Sequence, residues 1–202
     1  MKTDVIVVSS QGGQMETALR QAERVAAYKE LSPQGALHLR LLTEEMMGMM
    51  RSITGETQGR FWIEDQERPG EFRLHLQVDT RMDSGKRSQL LSAATSGKNE
   101  VARGLMGRLR DFFDQSADED IAAMSSPLLL PGMFDHSSTP TLDWEWSMVR
   151  YEDALNQARE SEEEAREAWD ELEKSVVARV ADDVKVAIRR GTVEMTIIKK
   201  LA

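Results

Sequence analysis

The residues able to do chemistry in this chain are few. Glu44 and Glu45 form a pair of adjacent acids in an apolar stretch. Such a pair can serve proton transfer or simply face water, and on a helix the second use is the commoner. Asp79 ends a run of alternating apolar residues. There it can accept a hydrogen bond from a ligand, or equally well start a turn. His38, His75 and His136 are scattered without metal-ligand spacing, and with no cysteine there is neither a thiolate metal site nor a disulfide framework. No metal site is expected. Met46, Met47, Met49 and Met50 could form an adaptable binding surface, but packing against a sheet is the more usual role of such a cluster. Trp144 and Trp146 point the same way from a short strand, giving an aromatic side that buries on the body or meets a partner. The acidic run from Arg159 to Glu167 reads as the wet side of a helix, with a basic partner as the other reading.

The elements that must position these residues are visible as periodicities. Val5-Ile6-Val7-Val8 fits a buried first strand, ended by Ser9 to Gly13. Helical spacing follows from Met15 through Ala26 and roughly to Tyr28, and Ser32-Pro33 is an N-cap with proline at the first helical position. The second helix, about Pro33 to Ile53, is apolar enough to be largely enclosed. Gly59 to Glu64 and Glu71 to Val78 read as antiparallel strands, the second with Phe72, Leu74, Leu76 and Val78 on one side. A helix is expected from about Asn99 to Phe113, and Leu128 to Phe134 forms an apolar plug in a polar stretch. Leu142 to Trp146 alternates like a short strand. A long charged helix then runs from Tyr151 to about Val180, with an apolar seam that would pack on the sheet or on a second copy of the chain. The chain closes with a hairpin, in which Val184, Val186 and Ile188 are followed by a turn at Arg189-Arg190-Gly191-Thr192 and by Val193, Met195 and Ile197.

The 202 residues suit one domain with a large insertion, or one domain and a half. A formal net charge of -9 and a pI near 5.0 disfavour general affinity for nucleic acid or anionic membrane. No apolar run approaches the roughly 20 residues of a membrane span, and the start leads into a strand rather than a signal peptide. The expectation is a cytoplasmic protein.

The order strand, helix, helix, strand, strand, insertion, helix, strand, strand resembles the ATP-binding domain shared by histidine kinases, DNA gyrase and a class of heat-shock chaperones, the GHKL group. Within it the chain is most similar to the serine/threonine kinases of anti-sigma-factor type. The resemblance spans about Met1 to Met82 and Leu172 to Leu201, and is carried by Leu41-Leu42-Thr43-Glu44-Glu45-Met46-Met47-Gly48 and by the closing hairpin with Gly191-Thr192-Val193-Glu194. It implies an α/β two-layer sandwich with a mixed, mostly antiparallel sheet and helices on one face. Residues 1–202 then form a single domain, and residues 83–150 an insertion replacing or extending the ATP lid.

The resemblance also assigns roles. Glu44 takes the position of the glutamate that activates the attacking hydroxyl, and Gly48 that of an asparagine that holds magnesium. Asp79 takes that of the aspartate receiving the adenine amine, and Thr192 that of a threonine beside the base. ATP and Mg²⁺ are the implied cofactors. Against them, Gly48 offers no oxygen ligand, Arg81 stands where the family has a glycine, and Glu171-Leu172-Glu173-Lys174 stands where a glycine-rich lid would cradle phosphates. The expected function is therefore a non-catalytic or weakly nucleotide-binding regulator acting through protein contacts. Sigma factors or anti-sigma antagonists are the implied partners, and the chain is a candidate homodimer. The alternative is an active ATP-dependent serine/threonine kinase with Glu44 as base and metal ligands such as Asp111, Asp114 or Asp118. A third reading keeps the fold with a different small ligand in the pocket.

Overall fold

The computed structural model describes residues 1–9, 13–54, 58–65, 70–79, 144–160, 162–189 and 192–201. The helix expected from Asn99 to Phe113, the plug from Leu128 to Phe134, and Asp111, Asp114 and Asp118 lie outside them. The elements in chain order are β1 (Ile6–Ser9), α1 (Gly13–Tyr28), α2 (Pro33–Thr54), β2 (Gln58–Asp65), β3 (Glu71–Asp79), β4 (Trp144–Ser147), α3 (Met148–Ala158), α4 (Glu163–Lys174), α5 (Val176–Val180), β5 (Asp183–Arg189) and β6 (Thr192–Lys200). The fold is of the α/β class, with a six-stranded open sheet in the order β1-β2-β3-β6-β5-β4. Each of the five pairings among the described strands is antiparallel, so the parallel pair that a mixed sheet requires is not found there.

The expected period-two alternation is present. Phe61, Ile63, Leu74, Leu76, Val184, Val186, Met195 and Ile197 are buried and belong to one apolar cluster. The intervening Trp62, Arg73, His75, Gln77, Glu194 and Thr196 stay partly exposed and form a polar face. The first strand departs from expectation. β1 lies at the sheet edge, where Val8 is buried while Val5 and Val7 are 52% and 60% exposed. A continuous apolar run there reflects a strand covered on one side only.

Two local devices shape the α1–α2 hairpin. Glu30 adopts a positive φ of 51°, and the bonds Leu31 N–H to Ala26 C=O (3.0 Å) and Glu30 N–H to Ala27 C=O (3.2 Å) close a Schellman motif. Ser32 then caps α2, its Oγ accepting from Gly35 N–H at 3.1 Å, as its sequence position predicts. Met46, Met47, Met49 and Met50 are all buried in the core, 0–3% exposed.

The single long helix expected from Tyr151 to Val180 is replaced by α3, α4 and α5. Tyr151, Leu155, Ala158, Ala165 and Leu172 are buried. A continuous helix through them would set Glu162, by its spacing from Ala158 and Ala165, in the same apolar seam. Instead Glu162 is an extended N-cap (φ -125°, ψ 122°) and remains exposed. Ser175 makes the second break, its Oγ accepting from Ala178 N–H at 3.4 Å. Residues 144–150, expected in the insertion, form β4 and the start of α3. Trp146 is 1% exposed and its ring lies 5.8 Å from that of Tyr151, so this tryptophan serves the core. No helix among the described residues is long and apolar enough to cross a membrane.

Candidate functional site

Two of the four sequence-predicted positions come together. Asp79 and Thr192 face each other at the paired ends of β3 and β6, and Thr192 Oγ1 donates to Asp79 Oδ1 at 3.2 Å. Arg60 of β2, which sequence reasoning missed, joins them: its Nη2 lies 3.2 Å from both carboxylate oxygens of Asp79. The Arg60 and Asp79 side chains are 47% and 67% exposed, so the pair is a surface ion pair worth at most about 1 kcal/mol. The register carries the missing signal. Arg60 stands opposite Gln77 on an antiparallel strand, one diagonal step from Asp79.

Glu44 and Gly48 stand elsewhere. They lie one helical turn apart on α2, on an exposed stripe shared with Leu37 and Arg40. A side chain added at Gly48 would project into open space. The opposite side of the helix packs on the sheet: a Cβ added at Gly59 would lie 3.0 Å from both Met50 Sδ and Leu76 Cδ1, which sets α2 over the apolar face. Asp79 follows the alternation of Arg73, His75 and Gln77 and so belongs to the polar face. The glutamate and the aspartate that one nucleotide pocket would need are thus presented to solvent from different sides of the core. Among the described residues, no cluster of three or more His, Asp or Glu could hold a metal ion.

On α2, the carboxyl of Glu45 is perturbed. Burial, and then the neighbouring Glu44 carboxylate, push its pKa above the ordinary value. Glu152 on α3 is pushed up in the same direction, by burial and then by Asp153 and Asp183. Glu152 also lines an open groove of about 550 Å³ between α3, α4 and α5, together with Trp169, Asp170, Glu173, Lys174 and Arg179. None of the four sequence-predicted residues borders this groove. No protein-family model, curated protein or solved structure matches the chain.

Proposed function

We propose that this chain is a regulatory protein with a histidine-kinase-like ATPase fold, a two-layer sandwich with helices on one face of the sheet, that works by protein contact in the cytoplasm rather than by nucleotide chemistry. The observation that carries this reading is the separation of Glu44 and Gly48, on the outward stripe of α2, from Asp79 and Thr192 on the polar sheet face. Asp79 is already engaged by Arg60 and Thr192, and Gly48 has no oxygen to give a magnesium ion. A sigma factor or an anti-sigma antagonist is the class of partner implied by the resemblance at Glu44 to Gly48 and in the closing hairpin, and the protein acts as a homodimer.

The test is the melting temperature with millimolar ATP or ADP, each with and without Mg²⁺. A ligand at about 100 times its Kd would add roughly 2.7 kcal/mol to the folded state. No shift is expected. A rise that disappears in Asp79→Ala would overturn the reading and bring forward the serine/threonine kinase with Glu44 as base.

A further inference from the structure

The polar face of the sheet holds a side-chain cluster that the proposed function leaves unused. His75 of β3 stands between Trp62 of β2 and Thr196 of β6. The Trp62 and His75 rings stack at 4.9 Å with 4° between their planes, and the His75 side chain is only 12% exposed. On one side of the imidazole, Nδ1 lies 3.2 Å from Thr196 Oγ1 and 3.6 Å from Glu194 Oε1. On the other, Nε2 is buried without a hydrogen-bond partner, 3.5 Å from Glu64 Oε2. The second oxygen of Glu64 accepts from Trp62 Nε1 at 3.0 Å and pairs with Lys2 Nζ at 2.9 Å, while Lys2 lies 5.0 Å from the Trp62 ring centre.

A neutral imidazole has one N–H, yet this ring has a carboxylate oxygen just beyond bonding distance on each side. A proton would convert both approaches into charge-assisted bonds, which close to about 2.7–2.9 Å. Among the described residues, the charged groups facing the ring are Glu64 from β2, Glu194 from β6 and Lys2 from the N-terminal segment. Farther along the same face Arg60 is held by Asp79, Arg73 by Glu71, and Lys185 of β5 stands across from Thr196. The carboxylates favour the proton, whereas burial and Lys2 oppose it. Burial is the largest influence and holds His75 below its ordinary value.

We propose that His75 is a proton-operated switch on the polar sheet face: protonation draws Glu64 and Glu194 onto the imidazolium and thereby shifts Trp62 and Lys2, which share Glu64. The switch stands independently of the proposed function. It is tested by following the His75 ring and the Trp62 indole N–H by NMR in the wild-type protein from pH 8 downward. Through-bond assignment identifies both groups, so the measurement needs no variant to fold. One transition, below the ordinary imidazole value of 6.5, is expected at both positions. In Glu64→Gln the His75 midpoint falls further and the indole stops following it. An indole that stays still while His75 titrates overturns the proposal, as does a His75 midpoint unmoved by Glu64→Gln.

Discussion

At the scale of single residues, the surroundings of Glu45 favour its protonated form. Its folded pKa lies above the unfolded value near 4.5, so its contribution to stability is complete below that pH and is lost as the pH rises through the folded value. Glu45→Gln should therefore raise the melting temperature at pH 7 and have little effect near pH 4. Thermal unfolding at the two pH values checks this, and an equal gain at both would mean that ionisation of Glu45 is not the cause. Glu64 is displaced the other way. Burial pushes its pKa up, but bonds from Lys2 and Trp62 and the charges on His75 and Lys2 outweigh that and leave it below the ordinary carboxylate value. Neither displacement can be read from residue type, because the first depends chiefly on burial and the second on partners brought in by folding.

At the scale of elements, helix starts show which determinants are local. Ser32 caps α2 through a bond to Gly35, three residues away, and the Ser-Pro pair announces it. At the start of α3 the N-cap residue Ser147 makes no side-chain cap, and the work passes to Asp183 on β5: its carboxylate accepts from Ser147 Oγ at 3.2 Å and from Val149 N–H at 3.3 Å. Ser32→Ala and Asp183→Ala should each cost about 1 kcal/mol in urea denaturation. A neutral Asp183→Ala would show that water replaces the cap without loss. The sequence discloses the first cap and conceals the second, which spans 36 residues. Strands β2, β3, β5 and β6 were likewise legible from alternation. The breaks between α3, α4 and α5 were not, since they depend on keeping Glu162 out of a seam that exists only once Tyr151, Leu155 and Leu172 are packed. For the candidate site, counting from Val78 puts Asp79 on the polar face, and the spacing of Leu39, Leu42 and Met46 turns Glu44 outward. Arg60 becomes a partner of Asp79 only once the β2–β3 register is known.

At the scale of the whole molecule, one apolar cluster joins α1, α2 and the strands to α3, α4 and α5, so injury at its centre should be felt throughout. Met46 has no exposed surface. Met46→Asp would bury an unpaired carboxylate, among the costliest single changes a core can suffer, and cooperative unfolding should be lost. A variant that melts like the wild type, followed by circular dichroism, would show that α2 is not enclosed. The sheet order carries a consequence for biosynthesis. β6, last of the described strands, is not an edge: it lies between β3 and β5, and its contact from Thr192 to Asp79 spans 113 residues. Among the described strands, β1-β2-β3 and β5-β4 have nothing to join them until Thr192 to Lys200 have left the ribosome. The nascent chain must therefore wait with two half-sheets bearing unpaired edges, the condition in which holding chaperones are most needed.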